Sequence, residues 1–175
     1  MRFNTISQAA LFTAALVLAT SSAFAPRAQA NGQGLTIFGG VPADKQLKYS
    51  FDFGGNKGSW DRYRLKIDKK KMKLAAAEIT IDYPDYYKGT FNTKEMEIKV
   101  NGKAIKLQEA KWDKDNYFLQ LFPAEPIPAG SDVEIVLSDV RNPDYPGTFY
   151  FNCRVLTPGD VPLLRDIGSW IMSID

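Results

Sequence analysis

An all-β, antiparallel sandwich of about eight or nine strands is the fold the sequence predicts, and three observations predict it. Apolar residues recur with a period of two, the alternating runs are short and spaced near ten residues apart, and no stretch carries a long helical pattern.

The elements follow in order. Residues 47–53 alternate cleanly and break at Gly54-Gly55-Asn56. In residues 62–67, Tyr63, Leu65 and Ile67 face inward while Arg62, Arg64 and Lys66 face outward. Residues 78–83 form a third strand, and the one helix candidate, 74–77, runs straight into it and reads as its approach. Residues 95–100 and 103–107 flank Asn101-Gly102 in the clearest hairpin, because Asn-Gly tolerates positive φ at both central positions of a type I′ turn. Residues 110–112 turn through 113–116 into 117–122, which Pro123, Pro126 and Pro128 stop, since proline cannot donate to a ladder. Residues 132–137 and 148–155 add two more strands. Beyond Pro158 and Pro162 the chain closes on 170–174, with Trp170, Met172 and Ile174 on one face. This arrangement has immunoglobulin-like character.

The 175 residues are 45% hydrophobic, 13% aromatic and 24% charged, the balance of a single globular domain. There is no histidine and one cysteine. A Ser-His-Asp triad, a Cys-His pair, histidine-bound zinc and an internal disulfide therefore lack their parts. Cys153 alternates in phase with Phe149, Phe151 and Val155 and reads as a buried small hydrophobe.

The N-terminus reads as an export signal. Arg2 supplies the positive start, residues 9–19 an apolar run, and Ala28-Gln29-Ala30 a cleavage site, with a poorer one at Ala23-Phe24-Ala25. The apolar run is far shorter than the roughly 20 residues a spanning helix needs. Residues 1–30 are thus expected to be a cleaved Sec signal peptide, and residues 31–175 a single domain with no transmembrane segment. That domain is exported to the periplasm, the medium or a thylakoid lumen. It holds 20 basic and 20 acidic residues, unevenly placed: +6 over residues 31–114 and −6 over residues 115–175.

Four segments carry a family resemblance: Ala77-Glu78-Ile79-Thr80-Ile81, residues 127–137, Val140-Arg141-Asn142-Pro143, and the closing residues 162–170 with their Gly168-Ser169-Trp170 ending. In that order after a signal peptide, they resemble the cyanobacterial family of exported proteins known as domain of unknown function 2808. The resemblance implies an exported β-sandwich in a photosynthetic bacterium and brings no catalytic residues with it.

Four constellations are candidates for chemistry. Asp113, Asp115 and Asn116 offer oxygens to calcium, but an EF-hand loop would need Gly and Glu where Phe118 and Ala124 stand, so a polar hairpin turn is the plainer reading. Copper through Met72, Met96 and Cys153 fails for want of an imidazole. Asp82, Asp85, Asp139 and Asp144 lie near strand ends, where a carboxylate pair would suffice for glycoside hydrolysis. Residues 83–91 set Tyr83, Tyr86, Tyr87 and Phe91 among Pro and Gly, either as rings stacking on a sugar or protein partner or as rings capping the core. Finally Lys69, Lys70 and Lys71, beside Lys66 and Lys73, make a basic run open to an acidic polysaccharide, anionic lipid headgroups or an acidic protein face. Nucleic acid does not suit an exported chain without net positive charge.

The reading is an exported, non-catalytic binding or structural module without a cofactor, engaging an envelope protein or polysaccharide through Tyr83, Tyr86 and Tyr87 and through Lys69, Lys70 and Lys71. The alternative is a small carbohydrate-active hydrolase using a carboxylate pair.

Overall fold

The computed structural model describes residues 40–159, 161 and 163–175; the signal peptide expected over residues 1–30 lies outside them. Ten strands follow one another: β1 (Gln46–Phe51), β2 (Trp60–Ile67), β3 (Glu78–Asp82), β4 (Met96–Val100), β5 (Lys103–Ile105), β6 (Leu107–Asp113), β7 (Phe118–Pro123), β8 (Val133–Arg141), β9 (Gly147–Leu156) and β10 (Leu164–Ile174). Short 3-10 turns at Ala43–Lys45 and Thr93–Glu95 accompany them. Residues 74–77 are not helical; Ala76 bridges Ile127 and leads into β3, as its alternation implied.

The fold is all-β, but the expected two antiparallel layers of eight or nine strands are corrected to one ten-strand mixed sheet, nearly closed into a barrel. Its order is β5-β4-β8-β2-β1-β10-β9-β3-β7-β6. The physical reason lies at two seams. On one side β1 meets β10 in a short parallel pairing, Gln46 with Ser169 and Leu47 with Trp170, which splices two antiparallel halves. On the other, Lys106 alone separates β5 from β6, so the chain steps directly from one sheet edge to the other. Parallel pairing is invisible to periodicity, because a strand alternates identically whichever way its neighbour runs.

Three strands run well past the alternation that marked them, each with a bulge: β6 begins at Leu107, with a slip between Leu107 and Glu109, and β8 and β10 follow the same pattern. Between Asp61–Tyr63 of β2 and Leu137–Val140 of β8 the register slips, with Asp139 at φ 51°, so β8 continues to Arg141 after its inward face has shifted. In β10 the slip falls between Asp166 and Gly168. Gly168 sits at φ 143°, where an added Cβ would collide with the Lys45 carbonyl, so only glycine admits the approach of the β1 end.

The core lies between the two halves of the sheet. Tyr63, Leu65 and Ile67 of β2, Ile135 and Leu137 of β8, Phe149, Phe151, Cys153 and Val155 of β9, and Trp170, Met172 and Ile174 of β10 are all buried. Burial of each large side chain stabilises by about 1.5–3 kcal/mol, and the stored entropy of ordering the chain offsets most of the sum. Met72 and Met96 pack in the same core, and burial pushes the Cys153 thiol pKa well above its usual value. The outward β2 stripe is paired rather than free: Arg64 bonds Asp52 at 2.7 Å and Glu134 at 3.4 Å, and Lys66 lies 3.9 Å from Glu134. Here the basic and acidic halves of the sequence meet on neighbouring strands.

This topology leaves two sets of loops. Residues 52–59, 83–95, 114–117 and 142–146 gather at one end, together with Asp175, whose backbone bonds Gly55 and Lys57. Residues 68–77, 101–102 and 124–132 gather at the other, with 157–159, 161 and 163 of the β9–β10 connection.

Candidate functional site

The first end is built on buried polar groups. Asp61, buried at the start of β2, accepts backbone N–H bonds from Phe53 at 3.0 Å, Gly55 at 2.8 Å and Arg62 at 2.7 Å. One carboxylate thus folds the whole β1–β2 loop over the sheet. Beside it Tyr63 donates its hydroxyl to the Asn142 side-chain oxygen, and Tyr87 lies 3.0 Å from Tyr63. Since Tyr63 has only one proton, Tyr87 must be the donor of that pair. The Asn142 amide completes the chain by donating to the Asn56 carbonyl at 2.8 Å. Three loops are tied together through this one buried path. Burial pushes both tyrosine pKa values well above the usual phenol range, and the neighbouring Tyr63 raises Tyr87 further.

The aromatic segment divides accordingly. Tyr83 and Tyr87 are buried, and with Phe91 they pack on Phe151 at ring distances of 5.0–6.2 Å; Trp112 donates its indole N–H to the Tyr83 hydroxyl at 2.7 Å. Tyr83 and Tyr87 are therefore corrected from partner contacts to core residues, because the turn Pro84–Tyr87 points alternate rings into the sheet opening. Gly89 has no room for a Cβ between the Tyr87 ring and the Arg141 carbonyl, which fixes that turn. Tyr86 is the ring of the three that faces water, 48% exposed, with its inner side 5.7 Å from Phe149.

Three further rings join Tyr86 at this end. Phe53 and Trp60 are each 60% exposed, and Tyr145 flanks Phe149 from the other loop. Sequence reasoning missed all three, since Phe53 and Trp60 sit where strand alternation stops and Tyr145 follows ordinary Pro-Asp turn chemistry. Their shared signal was an aromatic residue beside Gly, Ser or Pro at a strand end. The Arg141 guanidinium lies 6.0 Å from the Trp60 ring centre and is itself 3.7 Å from Asp144. Next to Trp60 opens a groove of about 340 Å³ lined by Thr90, Phe91, Asn92 and Asp139. Asn92 donates to Asp139 at 3.4 Å and accepts from Lys94 N–H at 3.1 Å, so both polar side chains are held in place.

The remaining candidates are held in separate ways. Asp82 pairs with Arg154 at 2.6 Å, Asp139 accepts from Asn92, Asp144 lies 3.7 Å from Arg141, and Asp85 sits on the exposed turn beside Tyr86. Asp113 spends its oxygens on the Asp115 and Asn116 N–H groups and the Asn116 amide, which hold its carboxyl below the usual range; the run is a hairpin turn. Lys69 and Lys70 are exposed at the opposite end, their backbone N–H groups bound by Asp132 and Asp68. Lys71 is half-buried and donates to the Asp44 carbonyl, so it ties the lysine turn to the turn Ala43–Lys45 and is corrected from a free contact to a structural one.

Several solved structures share features of this fold. The bacterial hydrophobin BslA is 18% identical, with a TM-score of 0.44 over 74% of this chain and 95% of that one. A collagen-binding domain from a Staphylococcus aureus adhesin is 14% identical, with a TM-score of 0.43 over 73% and 95%. An uncharacterized protein from Nocardia farcinica with an immunoglobulin-like fold is 7% identical, with a TM-score of 0.41 over 74% and 97%. No curated protein matches the chain. The sequence segments that carried the family resemblance all lie within residues 35–174, the stretch that matches the family described as protein of unknown function (DUF2808), and the chain belongs to that family.

Proposed function

We propose that this chain is an exported, non-catalytic binding module that engages a polysaccharide or protein of a cyanobacterial envelope through its aromatic end. The observation that carries the reading is Trp60, a large ring 60% exposed beside a groove with fixed polar side chains. An exposed indole costs hydration free energy that only an occupant recovers, and a flat ring next to an amide and a carboxylate matches the alternating apolar faces and hydroxyl edges of a sugar. Asp139 adds weight, because a non-glycine residue at φ 51° within a strand is the kind of strain that persists where a side chain must be aimed. Phe53, equally exposed and with the Arg62 guanidinium 6.0 Å from its ring centre, is a second anchor open to a protein partner. Export rests on residues 1–30, which read as a cleaved Sec signal ahead of a domain over 31–175.

A non-catalytic role is supported by Asp82 being held against Arg154, which removes one of the four candidate acids from a carboxylate pair. A glycan array probed with the wild-type chain and with Trp60→Ala tests the reading. Roughly 30-fold weaker binding is expected, the loss of an interface anchor worth about 2 kcal/mol. A protein captured from envelope material in a Trp60-dependent manner selects the protein ligand. Binding indifferent to Trp60 and Tyr86 overturns the site. Polysaccharide turnover abolished by Asp85→Asn or Asp139→Asn replaces the module with the hydrolase.

A further inference from the structure

We infer that the opposite end of the molecule is a docking surface for an anionic membrane. Among the described residues, the large aliphatic side chains that stand exposed are Leu74, Val161, Leu163 and Leu164, and all four belong to the loops 68–77 and 157–163 or the first residue after them. Val161, at the tip of the second loop, is 85% exposed. That loop is closed at its base by reciprocal bonds, Thr157 N–H to the Leu163 carbonyl at 3.1 Å and Leu163 N–H to the Thr157 hydroxyl at 3.0 Å. Its tip is thus presented on a fixed base.

The same end carries cations with no ion-pair partner among the described residues: the ammonium groups of Lys69, Lys70 and Lys73 and the guanidinium of Arg165. Among the acids nearby, Asp166 holds Lys45 at 2.9 Å, Asp68 and Asp132 accept backbone N–H bonds within the turn, and Asp44 lines the cleft with its carboxylate in no ion pair among the described residues. Asp160 is the one acid in the sequence of the second loop. A cleft of about 750 Å³ separates the loops, with Leu74, Leu163 and Leu164 against Lys70, Lys73 and Arg165 on its walls.

Protruding aliphatic tips beside unpaired cations fit one occupant better than its rivals. A bilayer interface offers hydrocarbon to the leucines and anionic headgroups to the lysines at the same depth. An acidic polysaccharide would use the cations and leave the aliphatic tips in water. A lysine's long stem also lets its charge reach headgroups while neighbouring apolar atoms go deeper.

Co-sedimentation of the protein, purified as it accumulates in its host, with phosphatidylcholine vesicles lacking or containing phosphatidylglycerol tests this. Binding is expected to the anionic vesicles and to weaken as the Debye length falls to about 8 Å at physiological salt. Changing Lys69, Lys70 and Lys73 together to Gln should weaken it at least about tenfold, and Leu163→Ser with Leu164→Ser about tenfold. Binding to dextran sulfate should respond to the lysines alone, and Trp60→Ala should leave vesicle binding intact. Vesicle binding that ignores the leucine changes makes this a polyanion surface and overturns the proposal, as does failure to bind anionic vesicles at low salt. Neither result touches the aromatic end.

Discussion

The two ends of this sheet expose different classes of apolar side chain and are built differently. Phe53, Trp60, Tyr86 and Tyr145 stand at one end; Leu74, Val161, Leu163 and Leu164 stand at the other. The aromatic end is organised by side chains buried beneath it, with Asp61 holding one loop and the Tyr87–Tyr63–Asn142 path joining three. The lysine end is organised by its own backbone and by surface carboxylates such as Asp68 and Asp132. Buried networks position groups tightly because an unpaired member would be costly, whereas exposed turn bonds exchange with water at little cost. The aromatic end thus has the rigidity a shaped ligand site needs. The lysine end needs only to display charge and aliphatic surface.

The largest way to break this contrast is Tyr87→Ala. It empties the ring site between Phe91, Phe149 and Phe151 and removes the donor to Tyr63, so a loss of about 4 kcal/mol is expected in chemical denaturation. Tyr87→Phe keeps the ring and should cost about 1 kcal/mol, the worth of the hydrogen bond alone. An alanine variant as stable as wild type would mean the aromatic end is not built on that ring.

Alkaline pH should sharpen the contrast next. Burial raises the pKa values of Tyr63 and Tyr87, with Tyr83 raised for the same first cause. The sign follows from linkage: a folded pKa above the unfolded value near 10 leaves stability intact below pH 10 and erodes it as pH rises beyond, because the unfolded phenols ionise while the buried ones resist. Hydrogen exchange followed above pH 10 should show residues 53–62 and 140–145 losing protection before the β9–β10 pairing. Uniform loss across the sheet, or equal alkaline stability in Tyr63→Phe, contradicts a tyrosine-held end.

Much of this was readable from residues alone, and where reading stopped has a physical cause. Alternation marked at least part of every strand, since the period of two directly reports which side faces the core, but it joined Leu107 to β5 and left residues 108–109 of β6 unread. It failed at Asp139 and Gly168, where a bulge reverses the faces and the strand goes on unseen. The same limit divided the tyrosine segment. Tyr83, Tyr86 and Tyr87 are equivalent in composition, and only the turn Pro84–Tyr87 decides which ring enters the sheet opening. Trp60 was missed because its exposure depends on the register of β2 against Arg141, a partner more than eighty residues away in sequence. The lysine run was visible at once, but the bond from Lys71 to the Asp44 carbonyl of the turn Ala43–Lys45 required the fold.

The smallest expected effect completes the comparison. Changing Lys69, Lys70 and Lys73 to Gln removes three charges without an ion pair among the described residues, and it leaves intact the backbone bonds that shape the turn. The lost cation attraction to Asp68 and Asp132 is screened by water, and the lost mutual repulsion of the lysines opposes it, so the two nearly cancel. A stability change within about 0.5 kcal/mol is expected in thermal or urea unfolding, against about 4 kcal/mol for Tyr87→Ala. Salt should shrink even that difference. A loss above about 1 kcal/mol would show that the lysine end, like the aromatic end, is held by its side chains, and the two ends would then differ in chemistry but not in construction.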